Sequence, residues 1–168
     1  LDVVLSRRFK DGWSGNVVYA YNDARIDDND GFGEYDADFN REHFFSIGGS
    51  WEISERWKLG ARWKWATGRP TDDFIINSDV LGAGQPLRYS KELTQQNALR
   101  LDDSHSLNIR VDYRRTLGPV DLVAFLDVIN VYGGPDGGSQ EFDPRRGVIV
   151  EDEGEALPII GLIFERSW

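Results

Sequence analysis

The stretch Leu107-Asn108-Ile109-Arg110-Val111-Asp112-Tyr113-Arg114 alternates strictly between apolar and polar side chains, and no other feature limits the chain so much. A strand has a side-chain period of two. Leu107, Ile109, Val111 and Tyr113 therefore share one face, and Asn108, Arg110, Asp112 and Arg114 share the other. Residues 57–65 repeat the pattern, with Trp57, Leu59, Ala61, Trp63 and Trp65 opposite Lys58, Arg62 and Lys64. Fainter versions occupy residues 13–22 and 45–53, and residues 1–9 read as a further strand. Residues 120–131 are apolar on both faces, although Asp121 and Asp127 share a side. The last strand, about 157–168, puts Ile160, Leu162, Phe164 and Trp168 together. The expectation is an all-β chain of about seven strands.

The connections alternate in length. Short turns fall at 10–12, 54–56 and 117–119, and long polar segments at 23–42, 67–103 and 133–155. Transmembrane β-barrels show this alternation, with short periplasmic turns and long extracellular loops. Structureless loops longer than roughly 12 to 15 residues are uncommon in compact soluble domains, and three would count against one.

Composition agrees. Only 40% of residues are hydrophobic, yet there are six Trp, six Tyr and nine Phe. No apolar run approaches the roughly 18 to 20 residues that a membrane-spanning helix needs, so any crossing is by strands. Trp and Tyr favour membrane interfaces. Trp13, Trp51, Trp57 and Trp168 lie beside the short turns or at the chain end, while Tyr21, Phe45 and Trp65 lie toward the long loops, which predicts two aromatic girdles. A net charge of -10 argues against nucleic acid as a partner, because phosphate neutralisation needs clustered Lys and Arg. Without Cys there is neither a disulfide framework nor a thiolate metal site. The chain opens at Leu1 inside a strand, which leads us to expect further sequence upstream.

Several of these segments together resemble the TonB-dependent receptors. Residues 57–70, ending Thr67-Gly68-Arg69-Pro70, look like the family's late strand running into a Gly-Arg-Pro loop. Arg100-Leu101, residues 107–114 and Asp127-Val128-Ile129-Asn130-Val131-Tyr132 look like its closing strands, and Pro158, Gly161 and a terminal aromatic like its last one. The resemblance covers 57–168 and implies a bacterial outer-membrane transporter. It would carry a scarce ligand (a siderophore, metal complex, vitamin or glycan) through a barrel of the twenty-two-strand type closed by a separate plug. Residues 1–168 would then be a C-terminal portion of the barrel without the plug. The implied partners are the remaining strands and plug, from the same precursor or a second chain, the TonB complex through that plug, the barrel-assembly machinery and outer-membrane lipid. The resemblance also implies an assembly signal in Gly161, Phe164 and Trp168, with Arg166 departing from the usual apolar residue. No cofactor is implied.

Individual residues carry less. Asp27, Asp28 and Asp30 lie in an acidic loop that also holds Glu34, Asp36 and Asp38, and hard oxygen ligands at this density could hold Ca²⁺, but the twelve-residue loop pattern is not met and a solvated acidic loop is expected. His105 and Ser106 are adjacent in a strand, point to opposite faces and cannot form a catalytic pair, so no enzyme is expected. Arg62, Lys64, Arg110, Asp112 and Arg114 read as charges lining a barrel lumen. Two alternatives remain: a small self-contained barrel serving as anchor or adhesin, which needs an eighth strand, and an outer-membrane hydrolase.

Overall fold

The computed structural model describes residues 1–29, 33–79, 88–134, 140–151 and 154–166. Its strands are β1 (Asp2–Lys10), β2 (Trp13–Tyr21), β3 (Arg25–Ile26), β4 (Tyr35–Asp36), β5 (His43–Glu52), β6 (Trp57–Ala66), β7 (Pro70–Asp79), β8 (Arg88–Arg100), β9 (Ser104–Leu117), β10 (Val120–Ile129), β11 (Gln140–Asp143), β12 (Val148–Glu151) and β13 (Leu157–Arg166). Among the described residues there is no helix. Seven strands form one antiparallel sheet in the order β1-β2-β5-β6-β9-β10-β13, and they coincide with the seven expected from alternation to within a few residues. The largest differences are a β9 that runs from Ser104 to Leu117 and a β10 that stops at Ile129, where Asn130 turns away with φ +53°.

The three long connections are not structureless. Each contains a two-stranded ribbon, β3-β4, β7-β8 or β11-β12. This corrects the sequence reading, and the reason is physical. A ribbon open on both sides needs no apolar face, so β7 exposes Ile75 and Ile76 in succession and most of β8 is exposed, while Pro70 is buried and Thr71, Asp72, Asp73 and Phe74 are half-buried.

The short turns follow from local chemistry. Asp11 and Gly12 both take positive φ, +54° and +80°, as a two-residue turn that follows the sheet's twist requires. Gly118 adopts φ +63° ahead of Pro119. At the middle turn the Ser54 hydroxyl accepts the backbone N–H of Trp57 at 3.2 Å.

Register joins the separate alternations into continuous faces. One row runs Trp13, Trp51, Leu59, Val111, Leu126, Ile160, and the row on the other side of the sheet runs Ser14, Ser50, Gly60, Arg110, Asp127, Ile159. Register also resolves the ambiguity of β10: Leu122, Ala124, Leu126 and Val128 join the apolar face, while Asp121, Val123, Phe125 and Asp127 join the polar one.

Both faces are partly open, and the apolar one exposes large side chains even in the middle of the sheet. Ile47, Trp51 and Trp57, in central strands, are 47%, 54% and 47% exposed, whereas Ser46 and Ser106 on the polar face are 6% and 4% exposed. In a water-soluble sheet, burying such apolar side chains supplies the main driving force for folding.

The strands are also staggered in one direction. The row beside the first turn, through Trp13 and Trp51, reaches β9 at Val111, yet β9 continues to Leu117 before it turns. At the opposite end β9 starts at Ser104, while its partner β10 ends at Ile129, just past Val128 opposite Ile109. Such a shear tilts strands about a barrel axis. β1 and β13 are the two edges and are not paired with each other.

Candidate functional site

Because β2–β5, β6–β9 and β10–β13 all reverse at the same end of the sheet, the three long loops become neighbours. Two side chains of β8 join the first loop to the second. The Arg100 guanidinium donates to the Asn40 carbonyl at 3.1 Å, the Gly68 carbonyl at 3.2 Å, Asp36 Oδ2 at 2.6 Å and Glu42 Oε1 at 3.0 Å. Asn97 takes the left-handed conformation, φ +50°, which Asn tolerates better than most residues. Its backbone N–H donates to Asp72 Oδ1 at 2.9 Å, and its amide Nδ2 donates to both the Asp36 carbonyl and Asp38 Oδ1 at 2.7 Å. Asn40 is wholly buried, with Oδ1 accepting the Ala24 N–H at 3.2 Å. Gly68 has its Cα against the Leu101 carbonyl, where any side chain would collide, so the Gly-Arg-Pro segment needs glycine for close backbone approach.

The third loop joins through Thr71 Oγ1, which donates to Gln140 Oε1 at 3.2 Å, and through the Tyr89 N–H, which donates to the Pro144 carbonyl at 3.0 Å. Between the loops lies a cavity of about 270 Å³, with Asp38 from the first loop, Arg69, Asp72, Phe74 and Lys91 from the second, and Gln140 and Phe142 from the third. The Lys91 ammonium stands 4.2 Å from the centre of the Phe74 ring. Charges of both signs and apolar side chains together line this cleft, the mixture found in sites for small polar ligands.

The expected lumen charges share the polar face, but they do not form one network. Arg110 donates to Asp112 Oδ1 at 2.8 Å, lies 3.8 Å from Asp127 Oδ2 across the strand pair, and stacks 4.0 Å over the Phe125 ring. Arg62, Lys64 and Arg114 lie on the same face and have no ion-pair partner among the described residues. Asp127 belongs to this cluster, and the sequence signal for it was the side it shares with Asp121.

Trp13 and Trp51 are direct partners beside the first turn, and Trp57 packs on Tyr113 with ring centres 4.9 Å apart beside the second. Trp65 lies at the loop end, between Phe45 and His105. His43 joins that end, with Nδ1 2.9 Å from the Tyr19 hydroxyl. His105 is on the apolar face, its ring 5.4 Å from that of Tyr132, whereas Ser106 is buried on the polar face.

In the acidic loop, Asp27 Oδ1 accepts the Asn29 N–H at 2.8 Å and Asp28 Oδ2 accepts the Tyr35 hydroxyl at 2.7 Å. Asp30 lies outside the described residues, among which no three acidic or His side chains converge as a metal site would need. The Asp23 carboxylate, hydrogen-bonded to Arg25 at 3.2 Å, raises that guanidinium's pKa above its ordinary value.

Gly161 and Phe164 lie on opposite faces of β13, since Gly161 pairs with Phe125 on the polar face and Phe164 with Leu122 on the apolar one. Trp168 lies outside the described residues. Nothing in the alternation points to Arg100, Asn97 or Asn40, because a period of two reports faces and is silent on contacts between loops. Compared with known protein families, with curated proteins and with solved structures, the chain matches none.

Proposed function

We propose that this chain is about seven strands of a larger outer-membrane β-barrel, of the twenty-two-strand TonB-dependent type, that imports a scarce ligand into the periplasm. The observation that carries the reading is the two-sided sheet, whose continuous apolar face exposes Ile47, Trp51 and Trp57 while Ser46 and Ser106 are buried on the polar face. Hydrocarbon is the solvent that suits such a face. The one-directional stagger and the clustering of long loops at one end are both expected of a barrel section. The missing strands would satisfy the open edges of β1 and β13, whose unpaired backbone groups would be costly in lipid. The same edges disfavour a small barrel closed by this chain alone. In the proposed assembly the polar face meets water and a plug, the loop cleft meets the ligand, and TonB acts through the plug.

The test is uptake. Cells that depend on the full-length protein are offered a ferric siderophore, cobalamin or an oligosaccharide, with and without a protonophore. Energy-dependent uptake of one of these, together with recovery of the protein in the outer-membrane fraction, is expected. A protein found in the soluble fraction would overturn the proposal.

A further inference from the structure

The chain carries a net charge of -10, yet the paired positions on the apolar face of the seven-stranded sheet contain no Asp or Glu. The Lys and Arg residues at those positions are Arg7, Lys10, Arg115 and Arg166. All four lie at the short-turn end. Lys10 pairs with Trp13 at the first turn, and Arg7 pairs with Gly15 just before it. Arg115 precedes Leu117, whose partner Val120 closes the last turn, and Arg166 pairs with that same Val120. The other face mixes signs freely, with Arg110 beside Asp112 and Asp127. At the loop end, the apolar face carries the aromatic side chains Tyr19, Tyr21, His43 and His105 instead.

A one-signed rim bordering an apolar surface is complementary to phosphate at the edge of hydrocarbon, because long cationic side chains can keep their stems in the apolar layer and their heads in the phosphate layer. The Arg7 guanidinium stacks 4.0 Å over the Trp13 ring, and its contact with Asp11, at 3.2 Å, lies outward in the turn. With those side chains 39% and 69% exposed, this ion pair is weak enough to yield to another anion. Beside it, Gly15, Gly49 and Ala61 form one register row that keeps the face low. Two shallow, open grooves flank Trp13 there, one of about 460 Å³ reaching Arg7, Val17 and Ile47, and one of about 370 Å³ reaching Trp51 and Ala61.

We infer that this rim is a binding surface for glycerophospholipid, with the lipid phosphate against the arginines and an acyl chain in the groove beside Trp13. The inference rests on the membrane reading above and adds a lipid partner of defined headgroup chemistry.

The test uses the assembled full-length protein in nanodiscs of equimolar phosphatidylglycerol and digalactosyldiacylglycerol, a phosphate-free lipid, with retained lipid counted by native mass spectrometry after extraction. The wild type retains phosphatidylglycerol preferentially. Arg7→Gln, Lys10→Gln, Arg115→Gln and Arg166→Gln each weaken that preference by about fivefold. Ala61→Phe, which fills the groove and leaves the charges in place, also lowers retention. Equal retention of the two lipids by the wild type, or an unchanged preference when all four cations are replaced, overturns the inference. If the combined variant does not assemble, the wild-type comparison decides. A full-length protein that does not insert into these nanodiscs overturns the membrane reading as well, so the two failures are distinguishable.

Discussion

The Phe125 ring lies across Gly161, its direct partner in the β10–β13 ladder, in space that any side chain at Gly161 would occupy. Arg110 covers the same ring at 4.0 Å and is held by Asp112 and Asp127. A glycine that resembles part of an assembly signal in sequence therefore has a packing role on the polar face: it lets an aromatic side chain lie flat against the last strand.

Gly161→Val should displace Phe125 and loosen the β10–β13 pairing. Overpacking of this kind costs about 1 to 3 kcal/mol. Thermal or urea unfolding of the assembled barrel measures the loss, and Phe125→Ala in the same background should recover part of it by vacating the space. A Gly161→Val protein of unchanged stability would show that the ring does not occupy this position.

Val111 and Asp112 are neighbours in β9 on opposite faces, opposite Leu59 and Lys58. Val111→Arg should impair folding into bilayers by about 2 to 4 kcal/mol if its face meets lipid near the middle of the membrane. Asp112→Arg is expected to fold far better, losing chiefly its contact with Arg110. Equal damage from both, read by heat-modified mobility, would contradict the assigned orientation.

Arg100 binds Asp36, Glu42 and two backbone carbonyls from the first and second loops. Hydrogen bonds to charged groups contribute roughly 1.5 to 3 kcal/mol, and Arg100→Ala removes several at once. Amide hydrogen exchange should rise across 23–42 and 67–103 while the seven-stranded sheet keeps its protection. Asn97→Gly, which retains the left-handed backbone but removes the amide bonds to Asp36 and Asp38, should give a milder form of the same pattern. Unchanged exchange in both variants would mean that the loops are held by other contacts.

Expressed alone, residues 1–168 should not yield a protease-resistant barrel in liposomes, because the edges at β1 and β13 leave backbone N–H and C=O groups unpaired. Supplying the missing strands should restore resistance. A stable monomeric barrel formed by this chain alone would favour the small-barrel alternative.

The strands of the large sheet could be read directly because alternation is a local property. Residues 107–114 and 57–65 announce both their conformation and their two faces without reference to any partner, and Asp11-Gly12 and Gly118-Pro119 announce their turns. The same logic explains what went unread. β7 and β8 pair with each other and leave most of β8 exposed, so their side chains need not alternate, and the segment 67–103 passes for loop. Residues 120–131 show the intermediate case, in which an all-apolar strand signals its existence but not which side faces which neighbour.

The sequence by itself determined the all-β class, the seven strands, the polarity of their faces and the alternation of short and long connections, because each depends on a period of two or on a turn of two or three residues. Only the tertiary structure decided the register that gathers Arg7, Lys10, Arg115 and Arg166 along one rim, seats Phe125 on Gly161 and brings Arg100 of β8 to Asp36 of β4. Those contacts join residues far apart in the chain. Which of many equally charged or apolar side chains meet is set by strand pairing and loop packing across the whole sheet, and no local pattern encodes it.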